Sequence, residues 1–181
     1  ILNWEDRATC VLFGDGAGAV LLEPSDDETG LLGFVHEVDG SGGCYLSMPA
    51  GGSLRPASHE TVDKRLHFVR QQGQHVFKYA VRKFADASER LLHKNGIGGQ
   101  DVDRFVAHQA NIRIITATAK RLELPMDKVV LTVAEHGNTS GGSIPLALET
   151  AVRRGDIKVG DLLLLEAFGG GFTWGSALVR I

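Results

Sequence analysis

The run Asp161-Leu-Leu-Leu-Leu-Glu166 constrains the fold more than any other stretch of the chain. Successive side chains of an extended segment point to opposite faces, so four leucines in a row need cover on both sides. That is the place of a central strand in a layered sheet. The flanking patterns agree. From Gln74 to Asn95, Phe77, Val81, Phe84, Ser88 and Leu91 recur at three to four residues, the spacing of one helix face, and Asn95-Gly96 supplies a stop. Arg104 to Ala107 is a short strand-like run, Ile112 to Leu122 a second helical pattern ended by Pro125, and Lys128 to Val133 a further β-branched run. A third helix is expected up to Gly155, capped by Ser140 or Ser143. After Gly169-Gly-Gly171 the chain returns from Thr173 to Ile181 as an antiparallel strand. Strands alternating with helices and closing in a β pair predict one α/β domain, a mixed sheet flanked by helices.

The first third of the chain is expected to be mainly β. Thr9 to Phe13 and Ala17 to Leu22 read as strands joined by the turn Gly14-Asp-Gly-Ala17. The glycines are reminiscent of a dinucleotide loop, but a strand-like run follows them, so no helix N-terminus is available to hold a pyrophosphate. Leu31 to Val38 is a third strand, Cys44 to Met48 a short one, and Pro49 to His59 a surface excursion.

The totals exclude several classes. A length of 181 residues allows one good core, and a formal charge of −3 argues against a general nucleic-acid binder. No apolar run approaches the ~20 residues of a membrane span, and no basic segment precedes an apolar one in the manner of a signal peptide. Cys10 and Cys44 are far apart, without disulfide-framework or metal-type spacing, which suits a reducing cytoplasm. The chain opens on Ile1-Leu-Asn-Trp4 without an initiator Met and reads as the middle of a longer polypeptide.

Two polar stretches carry the chemistry: Phe105-Val-Ala-His108-Gln-Ala-Asn111 and His136-Gly-Asn138-Thr-Ser-Gly141. Each stands where a strand-like run gives way to a helix, and a parallel sheet brings such junctions to one edge. His108 and Asn138 can then offer two neutral donors to one carbonyl oxygen, which suits a developing enolate. Gly169-Gly-Gly171 forms a third junction at that edge, where backbone N–H groups can face an oxyanion. Arg113, Lys120 and Arg121 can cluster along one helix and steer an anionic partner.

The strings AHQAN within Phe105 to Arg113, HGNTSG within His136 to Gly141, and EAFGGGFTWG around Leu165 to Trp174 closely resemble the 3-oxoacyl-[acyl-carrier-protein] synthase III family. The resemblance runs from Thr9 to Ile181 and implies the C-terminal half of a thiolase-type fold, residues 1–181 forming one domain with the nucleophile domain outside it. It implies that His108 and Asn138 are catalytic, binding a malonyl thioester carbonyl as carbon dioxide leaves. By the same resemblance Gly170 belongs to an oxyanion loop, Phe168 is an apolar wall, and Gly73, Phe77, Ala110 and Asn111 line a coenzyme A channel. Arg113, with Lys78, Lys120 and Arg121, would dock acyl carrier protein. The implied enzyme is a cytoplasmic homodimer that takes acyl-CoA and malonyl-acyl carrier protein, with no further cofactor, metal, nucleic acid or membrane. The family's cysteine sits at a helix N-terminus, and neither Cys10, in a strand-like run, nor Cys44, after glycines, has that setting. The chain alone is therefore expected to be inactive. A non-catalytic binding module, a related condensing enzyme of secondary metabolism, and a metal or triad hydrolase using His108 with His136 are the competing readings; the last lacks a Gly-x-Ser-x-Gly elbow and clustered ligands.

Overall fold

A computed structural model describes residues 1–181. Its elements in chain order are α1 (Arg7–Cys10), β1 (Gly30–Val38), β2 (Leu46–Ser47), α2 (His59–Asp63), β3 (Arg70–Gln71), α3 (Gly73–Lys94), β4 (Arg104–Ala107), α4 (Ile112–Arg121), α5 (Val133–His136), α6 (Ser143–Arg154), β5 (Leu162–Gly169) and β6 (Thr173–Arg180), with short 3-10 turns at Gly40–Tyr45, Gly99–Asp101, Met126–Lys128 and Ser140–Gly142. The main sheet has the order β1-β6-β5-β4. β4 and β5 are parallel, with Val106 opposite Leu165, while β5–β6 and β1–β6 are antiparallel. The leucine run is thus paired on both sides, as its composition requires.

Alternation along β4 and β5 divides the core. Phe105, Ala107, Leu162 and Leu164 face α3 and α4 and pack with Leu91, Ile115 and Leu178. Val106 and Leu163 face α6 and pack with Val130, Ala147 and Ala151. Fully burying one such leucine contributes about 1.5–3 kcal/mol, so cover on both faces holds the strand in the middle of the sheet. The outward side of β1 is less covered, and Phe34 remains exposed.

The helices Gln74 to Asn95 and Ile112 to Leu122 agree with α3 and α4 to within a residue or two. Asn111 caps α4 by accepting from the Arg113 N–H. The other differences each have a physical reason. Thr9-Cys10 ends a one-turn helix capped by Asp6, and Ala17 to Leu22 runs unpaired with Val20, Leu21 and Leu22 exposed. A β-favouring run becomes a strand only where a neighbour completes its ladder, and both edges of this sheet lie elsewhere. The glycines meant for a hairpin turn instead permit close packing: a Cβ on Gly14 would lie 2.5 Å from the His136 carbonyl oxygen, and one on Gly142 would lie 2.8 Å from that of Gly16.

Lys128 to Val133 makes one isolated parallel bridge, Phe105 to Val129, and then enters α5. The N–H groups of Thr132 and Val133 are taken by the side chain of Gln109 rather than by a strand. Cys44-Tyr45 closes a 3-10 turn begun by Asp39, leaving only Leu46-Ser47 to pair with β3. The N-cap of α6 is Gly142, with no side-chain cap, so neither Ser140 nor Ser143 caps it. Ser143 is occupied elsewhere.

Candidate active site

His108 is the first residue after β4. Its N–H donates to the Glu166 carbonyl at 2.7 Å, extending the parallel ladder by one step and fixing where the ring leaves the backbone. On the α6 side its Nδ1 lies 2.6 Å from Ser143 Oγ. That hydroxyl oxygen also accepts from the Gln109 N–H at 3.3 Å. With its own proton given to Nδ1, the ring proton resides on Nε2. Burial pushes the His108 imidazole down to about 4, so the ring is neutral at physiological pH and Nε2–H is a donor.

Asn138 follows α5 through Gly137, whose φ of +66° suits glycine. Its N–H donates to Leu12 O at 2.9 Å and its carbonyl accepts from Gly14 N at 3.0 Å. The side-chain Oδ1 accepts from Ser140 N at 2.9 Å. With the oxygen engaged, the Nδ2 amide is left to donate. Two neutral donors of different origin are thus oriented by two serines.

Both residues line one cavity of about 660 Å³, together with Gly73, Phe77, Ala110, Asn111, Phe168 and Gly170. Every residue expected to touch an acyl or coenzyme A substrate is brought to this space. Gly73 and Phe77 come from the start of α3, Ala110 and Asn111 from the loop into α4, and Phe168 to Gly170 from the end of β5. Phe168 sits among aromatic rings, 4.9 Å from Phe172 and 6.0 Å from Phe84 between centroids, which makes an apolar wall.

The four basic residues are not equivalent. Arg113 lies over the Phe77 ring at 5.3 Å, at the cavity's edge, and Lys78 is the next residue along α3. Lys120 is exposed on α4, about 10 Å further along the helix by its rise per residue. Arg121 faces α3, where it pairs with Asp86 at 2.6 Å and Glu89 at 2.7 Å. Its charge ties α3 to α4.

Neither cysteine lines the cavity; Cys10 is buried and Cys44 exposed. His136 does not line it, and no group of three or more His, Cys, Asp or Glu side chains is placed to hold a metal ion. Three residues of the site carry little signal of their role in the local sequence pattern. Ser143 reads there as a helix cap and Gln109 as a flank of His108. Glu166, 1% exposed, reads as the end of the leucine run. For Glu166 the available signal is an acid on a strand buried on both faces.

A family model described as 3-Oxoacyl-[acyl-carrier-protein (ACP)] synthase III C terminal matches residues 92–181, and one described as 3-Oxoacyl-[acyl-carrier-protein (ACP)] synthase III matches residues 1–40. A protein of Koribacter versatilis named beta-ketoacyl-[acyl-carrier-protein] synthase III is 54% identical over 182 residues, covering 99% of this chain and 55% of its own length. The similarly named protein of Alkalilimnicola ehrlichii is 54% identical over 180 residues, covering 99% of this chain and 54% of its own length. The chain spans about half the length of the relatives it matches. Among solved structures, 3-oxoacyl-(acyl carrier protein) synthase III of Pseudomonas aeruginosa superposes with a TM-score of 0.88 at 40% identity, over 99% of this chain and 53% of that one. The Aquifex aeolicus synthase III gives 0.87 at 40% identity, over 99% and 54%. The fold is accordingly thiolase-like, and the chain belongs to the 3-oxoacyl-[acyl-carrier-protein] synthase III family.

Proposed function

We propose that these residues form the decarboxylating part of a beta-ketoacyl-acyl carrier protein synthase III that starts fatty-acid synthesis. The observation that carries the reading is the pair of neutral donors, His108 Nε2–H and Asn138 Nδ2–H, lining one cavity with their orientations imposed by Ser143 and Ser140. In the proposed reaction an acyl group, taken from acyl-CoA, rests on a cysteine supplied from outside these 181 residues. Malonyl-acyl carrier protein then enters. Its carbon–carboxylate bond breaks, carbon dioxide leaves, and the electron pair moves onto the thioester oxygen held by the two donors. The resulting enolate carbon attacks the acyl-cysteine carbonyl and expels the thiolate, which takes a proton.

Neutral donors suit this step because a full imidazolium would bind the ground-state carboxylate as well as the enolate. Phe168 places an apolar surface by the departing carboxylate, favouring loss of its charge as carbon dioxide. The loop of Gly170 would serve the acyl-transfer oxyanion. Coenzyme A thioester is substrate, and the reaction needs no other cofactor. Arg113, Lys78 and Lys120 would meet the acidic carrier protein, with Arg121 contributing less because two carboxylates already hold it. The whole protein is proposed to be a cytoplasmic homodimer; no helix of this chain is long and apolar enough to cross a membrane.

Two tests follow from the site. The 181-residue chain, given acetyl-CoA and malonyl-acyl carrier protein, is expected to form no 3-oxoacyl product by mass spectrometry; turnover without an added cysteine-bearing half would contradict the assignment. In the whole protein, Ser143→Ala removes the hydroxyl that fixes the His108 tautomer. A hydrogen bond of this kind is worth about 0.5–1.5 kcal/mol, so the decarboxylation kcat should fall up to about tenfold with little change in KM. Unchanged kcat would show that Ser143 does not set the donor.

A further inference from the structure

We propose that Gln109 is a positioning residue that holds the His108 and Asn138 donors at their working separation. The proposal deepens the decarboxylation reading and rests on it. Gln109 is 1% exposed, and its side-chain amide is fully engaged. Nε2 donates to Ala107 O at 2.8 Å and to Val130 O at 3.1 Å. Oε1 accepts from Thr132 N at 2.8 Å and from Val133 N at 3.1 Å. One partner is the residue before His108, and the others belong to the segment that opens α5 and leads to Asn138.

The placement has a geometric reason. β4 and the 129–130 segment begin as parallel neighbours through the Phe105–Val129 bridge and then part as α5 turns away. Backbone groups at the parting would lose partners inside the core, which is costly. The Gln109 amide, with two donors and two acceptor sites, stands in for the missing peptide group. Its main-chain N–H donates to Ser143 Oγ at 3.3 Å, the same hydroxyl that holds His108 Nδ1. Gln109 therefore touches the support of both donors and does not itself line the cavity that His108 and Asn138 share. Two donors that must meet one oxygen tolerate little error, since a shift of about 1 Å can cost about 10²-fold in rate.

The test uses Gln109→Met and Gln109→Glu in the whole protein, with His108→Ala and Asn138→Ala as controls. A protonated glutamic acid keeps the acceptor and one donor, whereas an ionised one sets a carboxylate oxygen, in place of Nε2, against the Ala107 and Val130 carbonyls. Malonyl-thioester decarboxylation by Gln109→Met should fall about 10²-fold in kcat with KM within about twofold. Gln109→Glu should be active in mild acid and lose kcat reversibly as pH rises, a limb the parent protein lacks, while circular dichroism reports a folded protein throughout. Should Gln109→Met fail to fold, the Gln109→Glu limb decides. Parent-like kcat in Gln109→Met, or a Gln109→Glu profile that parallels the parent's or follows only its folded fraction, overturns the proposal. Full decarboxylation by either alanine control would instead overturn the reading beneath it.

Discussion

Replacing His108 or Asn138 by alanine in the whole protein should lower malonyl-thioester decarboxylation by about 10²- to 10³-fold each, the range seen when one preorganised oxyanion donor is removed. The double variant should lose less than the product of the two. In the proposed site one oxygen is served by both groups, so removing the first should already misplace the second, and effects within such a unit are not additive. KM should move little, because in the proposed reaction the donors act on charge that develops only as carbon dioxide leaves. Steady-state release of labelled carbon dioxide measures all three variants. Equal falls in kcat and in substrate affinity would mean that the pair binds the thioester without stabilising its enolate. The effect should persist through neutral pH, because His108, held at about 4, does not gain a proton there.

A comparably large effect is expected from Glu166, in stability rather than rate. Its carboxyl is buried between β5 and α3, where Ser88 Oγ donates to Oε1 at 2.6 Å and Ser176 stands 2.9 Å from Ser88. Oε2 has no partner. Burial pushes the acid up to about 8 from its ordinary 4.5, against the smaller opposing effect of the Ser88 bond. The folded state therefore keeps a proton that the unfolded chain releases. The stability this contributes is complete below pH 4.5 and is lost as pH rises through 8. His108 works in the opposite sense: its folded value of about 4 lies below the ordinary 6.5, so its contribution is present above 6.5 and lost as pH falls toward 4. Between pH 6.5 and 8 only Glu166 of these two changes. There the parent chain should lose stability to urea on the order of 2 kcal/mol, while Glu166→Gln, neutral throughout, should hold its midpoint and exceed the parent at pH 8. Parallel curves for parent and variant would mean that Glu166 is ionised in the folded protein.

Legibility followed locality. The leucine run, the face of α3 and the switch from β4 to α4 were readable because alternation and helical spacing are written in consecutive residues, and the packing agrees with them. The strand expected from Ala17 to Leu22 failed because pairing is a property of two segments, and only one of them is visible in a local pattern. The run from Lys128 to Val133 failed for a subtler reason. Its backbone donors find a side chain, Gln109, more than twenty residues away in sequence. His108 stood out by its strand-to-helix junction, which the structure has; Asn138 reaches the same cavity from the end of α5 and not from a strand. Their serine supports did not stand out, since nothing in the spacing of Ser143 relative to His108 announces a 2.6 Å contact. Arg121 shows the converse: its position on the helix with Arg113 suggested a free charge, and the carboxylates of Asp86 and Glu89 on α3 hold it.

The account depends on His108 being a neutral ring that carries its proton on Nε2. Nitrogen-15 NMR of the histidine-labelled protein, assigned by loss of the His108 signal in His108→Ala, reads both nitrogens directly. A protonated Nε2 and an unprotonated Nδ1 from pH 5.5 to 8, with the pattern blurring toward a mixture in Ser143→Ala, is the expected result. A His108 ring that holds its single proton on Nδ1 would remove the donor from the cavity, and one that gains a second proton near 6.5 would make the donor a cation; either result contradicts the proposed neutral enolate site.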